Sequence, residues 1–476
     1  MQTITALFKH RLARLTDCHP HIDSLRAISD PTSAAALFLL RSMNRRPSVF
    51  IIFLTVFIDL IGFGMVVPLV PIYSKHYEAG GWMIGIIGAS FSAMQFIFAP
   101  IWGRLSDRFG RRPILLISTA GAAASYAMFA VASGMEHHAT ALWGILIARS
   151  VAGLCGGNIA VAQAYIADIT PPADRSRKMG LIGMAFGLGF IFGPVISWIG
   201  LRHFGSSGPG WLAAGLCALN FVLTFFILGE SRNRDAQPRK VRPHVSQWMH
   251  TLAQPRIALL IGIFFLATFC FSCFEITLPL LINDNFQLGL TDDQIRPAST
   301  VISLFVFCGL IGAFVQGGAI GKLVKAMGEP RLIALSLVLT GASFLLLPFI
   351  KGNGQLFWSR LFQPDGLPWL YMLGALALLA IGTNLTRPPV FGLLSNLTPA
   401  DEQGATIGVA QSAGSLARIV GPLFAAPLYE HSASLPYVIC GILAILTGLI
   451  AAPYLLRPLA QPSKSAASQV SKPAPQ

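Results

Sequence analysis

The chain is cut into apolar stretches that are each long enough to cross a bilayer. A helix that spans the hydrocarbon needs roughly 20 apolar residues. Twelve segments of the 476-residue chain qualify, at 48–73, 83–103, 113–133, 141–168, 178–201, 211–229, 256–282, 297–320, 331–350, 368–394, 405–428 and 434–457. In hydrocarbon every backbone N–H and C=O must be satisfied within the structure, so a spanning segment is a helix or part of a closed barrel. Barrel strands alternate apolar and polar residues over about 10 positions; these segments are longer and apolar throughout. The expectation is an all-α membrane protein of twelve transmembrane helices, spans 1 to 12. Composition agrees: 11% of residues are charged, against roughly 25% in a soluble domain.

The net charge of +14 does not signal nucleic acid. The bases fall in alternate connections: 103–113, then Arg175, Arg177 and Lys178, then Arg232 through Arg242, then Lys322, Lys325 and Arg331. The intervening connections hold only scattered bases. Alternation of this kind is membrane topology, with the basic loops on the cytoplasmic side. It puts both termini in the cytoplasm. The connection 395–404 departs from it, carrying Asp401 and Glu402 and no Lys or Arg. Six of the seven cysteines fall in the spans, and Cys270-x-x-Cys273 has no nearby histidine, so they are read as small apolar residues rather than metal ligands. No metal site or cofactor is expected. His137-His138 lies in an outer loop without visible partner ligands, and no nucleophile–base cluster or nucleotide loop points to an enzyme.

The spans form two related sets. Thr170-Pro171, Gly180 and Gly193-Pro194 recur as Thr398-Pro399, Gly408 and Gly421-Pro422, offset by 228 residues. Gly103-Arg104-Leu105 with Gly110 has a counterpart in Gly321-Lys322-Leu323 with Gly328. The expected organisation is a basic, poorly ordered extension (1–46), a first six-helix bundle (47–229), a basic linker (230–255), a second six-helix bundle (256–457) and a disordered tail (458–476). Pro20 and Pro31 interrupt the extension, and Met43 is a plausible alternative start, so loss of 1–42 is expected to leave the protein active.

Ionisable groups at bilayer depth are costly and mark function by default. Five stand out: Asp59 in span 1, Arg149 in span 4, Glu275 in span 7, Arg387 in span 10 and Arg418 in span 11. The two acids can each take up a proton, whereas arginine stays charged and pairs with a carboxylate or an anionic substrate. Asp59 and Arg149 can also be a purely structural pair, Arg387 can bond carbonyls freed by Pro388-Pro389, and Arg418 can anchor a helix contact. Glycines accompany these charges. Span 1 reads Asp59-x-x-Gly62-x-Gly64-x-x-x-Pro68-x-x-Pro71. Span 4 reads Arg149-x-x-Ala152-Gly153-x-x-Gly156-Gly157. Span 5 reads Gly187-x-Gly189-x-x-x-Gly193-Pro194. Small residues let helices approach closely in lipid.

Between spans 2 and 3 the chain reads Gly103-Arg104-Leu105-Ser106-Asp107-Arg108-Phe109-Gly110-Arg111-Arg112-Pro113. This resembles the signature loop of the major facilitator superfamily. With the span 1 acid, the span 4 arginine and the span 5 Gly-Pro motif, the chain is similar to the twelve-span drug/proton antiporters, most closely the tetracycline exporter branch, over about 48–457. The resemblance implies two pseudo-symmetric six-helix bundles. It implies that Asp59 and Arg149 are functional, and that Asp107, Arg108, Arg111 and Arg112, framed by Gly103 and Gly110, latch a cytoplasmic gate with Asp168. Asp107 is then expected to face the start of span 11 near Ala405. Gly189, Gly193 and Pro194 become a packing motif typical of antiporters. The chain departs from tetracycline exporters in having Ser125-Tyr126 and Thr340 where that branch has acids, which points away from tetracycline and leaves Glu275 as the second intramembrane acid.

The expected function is proton-coupled export of a small organic compound or drug by alternating access, with Asp59 and Glu275 coupling protons and Arg149, Arg387 and Arg418 serving substrate or charge pairing. The alternative is an uptake symporter or facilitator for a metabolite, an anion if the arginines decide it. The partners are then the substrate, protons and the lipid bilayer, with no nucleic acid. A monomer in a bacterial inner membrane is expected.

Overall fold

In a computed structural model, residues 47–171, 175–231, 244–288, 295–398 and 402–456 are described. The extension, the basic stretch 232–243 and the tail lie outside them. Twelve long helices account for most of the described chain. In the first half, α1 runs Val49–Val66 and resumes at Leu69–His76, α2 is Gly81–Phe109, and α3 is Arg111–Ser133. Helix α4 runs His138–Gly156 and resumes at Asn158–Ile169, α5 is Arg175–Phe204 and α6 is Gly208–Ile227. A short linker helix, His244–Leu252, precedes the second half. There α7 is Pro255–Phe286, and α8 runs Ile295–Phe314 through a π turn into Ile320–Met327. The remaining helices are α9 (Glu329–Leu346), α10 (Leu367–Leu397), α11 (Gln403–His431) and α12 (Leu435–Leu456).

Eleven of these helices are apolar enough to cross a membrane by length and composition. The twelfth, α11, carries Gln411, Ser412, Ser415 and Arg418, and it packs between α2 and α7. A helix enclosed by protein rather than lipid tolerates that polarity. The break in α1 falls at Val67-Pro68, where proline supplies no N–H to the helix ladder.

The segment 103–113 is not the loop its charge pattern predicts. Helix α2 continues to Phe109, α3 begins at Arg111, and Gly110 alone separates them. Its φ of 104° is one that only glycine adopts easily. Charged residues do not require a loop, because a helix protruding from the bilayer carries them equally well. In the second half Gly328 separates α8 from α9 with φ 78° and ψ 154°, against 104° and 159° at Gly110. The repeat seen in the sequence therefore extends to backbone conformation.

Glycine seams join the helices within each half. A Cβ on Gly64 would strike the carbonyl of Gly189, and one on Gly193 would lie 2.6 Å from the carbonyl carbon of Gly64, so α1 and α5 meet backbone to backbone. The glycine face of α4 packs on α2, with Gly153 against the backbone of Phe91. The equivalent of the α1–α5 seam in the second half is α7 with α11, where Gly421 lies against Ser272 and the Phe269 carbonyl.

The two halves do not meet evenly. At the end away from Gly110, the start of α2 lies on the end of α11: Gly81 against the Ala426 carbonyl, and Gly85 against that of Pro422. At the end bearing Gly110, a Cβ added to Gly103 of α2 or to Gly408 of α11 would meet no atom within 4 Å. Gly183 and Gly187 of α5 and Gly317, Gly318 and Gly321 of α8 are likewise open. The halves thus touch backbone to backbone at the far end, whereas these glycines at the arginine-rich end meet no neighbour among the described residues.

Candidate functional site

Asp59 lies on α1 well inside the helix, one turn beyond Thr55. Its carboxylate takes two side-chain hydrogen bonds. Asn158 Nδ2 donates to Oδ2 at 2.6 Å, and Asn220 Nδ2 donates to Oδ1 at 2.8 Å. Asn220 also donates to the Thr55 carbonyl at 2.9 Å, and Thr55 and Thr224 place their hydroxyls 3.3 Å apart. Thr224 is one turn beyond Asn220, so the polar positions of α1 and α6 meet as a ladder. Asn158 enters from α4, just after the break at Gly157 that follows the glycine face. Both asparagines are buried, at 3% and 1% exposure. Buried amides bonded to an ionised carboxylate are charge-assisted contacts that fix its orientation.

A cavity of about 30 Å³ adjoins this group, lined by Asp59, Phe63, Phe91, Tyr126 and Asn158 among others. That is enough for one or two waters.

Arg149 does not pair with Asp59. Its guanidinium lies over the Phe91 ring at 4.8 Å and the Phe63 ring at 5.7 Å. It is 4% exposed, and its Nε and Nη1 find no hydrogen-bond partner among the described residues. Its charged neighbour is Glu275 of α7, across the interface between the halves. Glu275 in turn interacts with Arg418 of α11 first and Arg149 second. Arg418 is a neighbour of Arg387 on α10, which stands over Phe186, Phe264 and Phe391 at 5.8 to 6.0 Å. The five intramembrane charges therefore divide into an amide-held Asp59 and a row Arg149, Glu275, Arg418, Arg387 that links the halves.

The arginine-rich end holds a second network. Arg111 Nη1 meets Asp107 Oδ1 at 2.6 Å and Ser106 Oγ at 2.6 Å, while its Nε meets Asp168 Oδ2 at 3.0 Å. Glu230, just beyond α6, closes the start of α3: its Oε1 accepts from the Arg111 N–H at 2.9 Å and its Oε2 from the Arg112 N–H at 3.2 Å. A carboxylate there satisfies orphan amides and complements the helix dipole. Arg112 Nη2 donates to the Phe225 carbonyl at 2.8 Å, and Arg108 lies over the Phe109 ring. Asp107 is 66% exposed, and its ion pair stays within the first half. Among the described residues it makes no contact with the start of α11. Glu402, before α11, instead meets His250 of the linker helix at 3.2 Å.

Asn158, Asn220 and Glu230 do not emerge from the sequence as site residues. An amide in a long apolar span is the available signal for Asn220. Glu230 falls in the basic linker by sequence, and nothing local ties it to Arg111.

The family of this architecture is settled by comparison. The model of the Major Facilitator Superfamily matches residues 52–363 and 319–475. The chain belongs to the major facilitator superfamily. It is 31% identical over 399 residues to the class C tetracycline resistance protein of Escherichia coli, covering 82% of this chain and 92% of that one. It is 27% identical over 412 residues to multidrug resistance protein 2 of Bacillus subtilis, covering 85% and 94%. The crystal structure of the human organic anion transporter MFSD10 superposes with a TM-score of 0.59 at 25% identity, covering 85% of this chain and 98% of that one. These similarities put the chain on the drug-antiporter branch of the superfamily, as a multi-pass membrane transporter.

Proposed function

We propose that the protein exports a small organic compound and takes up protons in exchange. The observation that carries this reading is Asp59: an acid deep in α1, beside a water-sized cavity, held by two amides and by no cation among the described residues. A carboxylate so placed changes charge by taking a proton, and neutralising a buried charge lowers the barrier to moving it across the bilayer. Tetracycline and multidrug resistance proteins among the relatives support export of a drug-like compound. The arginine-rich end faces the cytoplasm in this reading, by the positive-inside rule. The conformation is then open to the cytoplasm and closed outside, ready to load substrate for export. The halves rock about the row from Arg149 to Arg387, and Arg111 with Asp107, Asp168 and Glu230 organises the gate.

The test is transport in everted membrane vesicles. An imposed proton gradient should drive accumulation of substrate, and Asp59→Asn should abolish it at equal abundance of inserted protein. Gradient-driven accumulation by Asp59→Asn at the wild-type level, or accumulation only in right-side-out vesicles, overturns the reading.

A further inference from the structure

Arg387 is a cation without an anion. It lies within α10, ten residues before the end at Leu397. Among the described residues it makes no hydrogen bond or ion pair, and the carbonyls beside Pro388-Pro389 do not hold it. The charged neighbour that acts on it is Arg418, a like charge. The single carboxylate of the row, Glu275, acts electrostatically on Arg418 and Arg149. Three arginines against one glutamate leave two positive charges uncompensated at bilayer depth. An uncompensated charge there is costly unless it is wet or paired.

What surrounds Arg387 is specific. Phe186 of α5, Phe264 of α7 and Phe391 of α10 place their rings 5.8 to 6.0 Å from its guanidinium carbon. These rings come from both halves, so the group sits where the cleft opens and closes. Gly183 and Gly187, which flank Phe186, face open space. Arg387 as a residue is only partly buried. A planar cation ringed by aromatic faces matches a planar anion with an apolar body. The guanidinium fork binds an oxyanion in two places, and the rings cover the attached skeleton.

We propose that Arg387 with Phe186, Phe264 and Phe391 is the capture site for the transported compound, and that this compound is an organic anion carrying a carboxylate or sulfonate on an aromatic body. The assignment rests on the export reading and names its substrate class. From Arg387 the anion meets Arg418 next, so the row of charges leads inward from the open end and repels cations along the way. Export of an anion also runs with an inside-negative potential.

The test uses the full chain purified into lipid nanodiscs and two dyes of one three-ring skeleton, anionic fluorescein and cationic rhodamine 6G, with binding read by fluorescence anisotropy. Fluorescein should bind about tenfold or more tighter than rhodamine 6G, the size of effect a charge-assisted contact supplies. Arg387→Gln should erase that preference by weakening fluorescein alone, Arg387→Lys should restore part of it, and Arg360→Gln in the α9–α10 connection should change nothing. In the unmodified protein, fluorescein and not rhodamine 6G should slow phenylglyoxal labelling of Arg387, read by mass spectrometry. Equal binding of the dyes, binding of neither, an unchanged fluorescein affinity in Arg387→Gln, or labelling that fluorescein fails to slow overturns the proposal. Anisotropy does not read transport direction. Fluorescein binding at Arg387 without proton-driven export therefore refutes the export reading and leaves the anion site standing.

Discussion

Asn220 Nδ2 bonds Asp59 Oδ1 and the Thr55 carbonyl together, at 2.8 and 2.9 Å, so both amide hydrogens are committed. With Asn158 on the other oxygen, Asp59 is furnished with donors suited to a carboxylate. Each oxygen keeps a second lone pair, so a proton can arrive beside the amide, and the hydrogen bond to the protonated oxygen is then weakened because its acceptor is no longer charged.

Asn220→Ala is expected to weaken coupling without removing the proton site. The lost contact is a hydrogen bond to a charged group, worth about 1.5–3 kcal/mol. The pH profile of transport should change, because the carboxylate loses one of the two amides that hold it. Transport against pH in everted vesicles reads this, and an unchanged profile would assign Asn220 a packing role only.

Glu230→Ala is expected to destabilise the protein by about 1 kcal/mol, the usual cost of losing a helix N-cap. Gly110 and the start of α3 stay in place, but two amides lose their acceptor. Thermal unfolding in detergent checks this, with Glu230→Asp as the shorter carboxylate for comparison. A melting temperature unchanged in Glu230→Ala removes the capping role.

Asp107→Ala is expected to slow turnover with little effect on stability or on substrate affinity. Asp107 itself is exposed, and buried Arg111 keeps Asp168 and Ser106 as partners when Asp107 is lost. Asp168→Ala should be more damaging, because Asp168 also accepts from Ser231 at 3.1 Å and ties α4 to the end of the first half. Binding and turnover measured separately distinguish the cases. Weaker binding with normal turnover of bound substrate contradicts a gating role.

Gly85→Leu is expected to prevent closure at the far end. A side chain there meets the Pro422 backbone from 2.8 Å, where nothing flexible gives way. Cross-linking yield between cysteines placed on the first turn of α2 and the last turn of α11 should fall several-fold. Wild-type yield in Gly85→Leu would show that the halves do not meet through this glycine.

The helices and the repeat were legible because lipid imposes them: length, apolarity and backbone satisfaction leave one solution. The glycine faces of spans 1, 4 and 5 were legible as places of close approach, but that α1 meets α5 along them was not. The reach of α2 and α3 was not, because Arg104 to Phe109 are as compatible with a protruding helix as with a loop. The environment of Asp59 was also hidden. Asn158 and Asn220 are 99 and 161 residues away in the chain, and which side chains face Asp59 depends on how α4 and α6 are rotated about their axes. Arg149 illustrates the converse. Its depth in the bilayer was readable, whereas its orientation toward Glu275 and away from Asp59 belongs to packing between halves.

The contact of α2 on α11 at the far end also bears on leakage. Gly81 and Gly85 bring one helix onto the carbonyls of Ala426 and Pro422. Protons travel through proteins along unbroken strings of water, and two backbones in van der Waals contact leave no width for such a string. If the cycle is proton-driven as proposed, this contact would help to insulate the gradient while the other end stands open, and the insulation would need no charge to be neutralised before the next stroke.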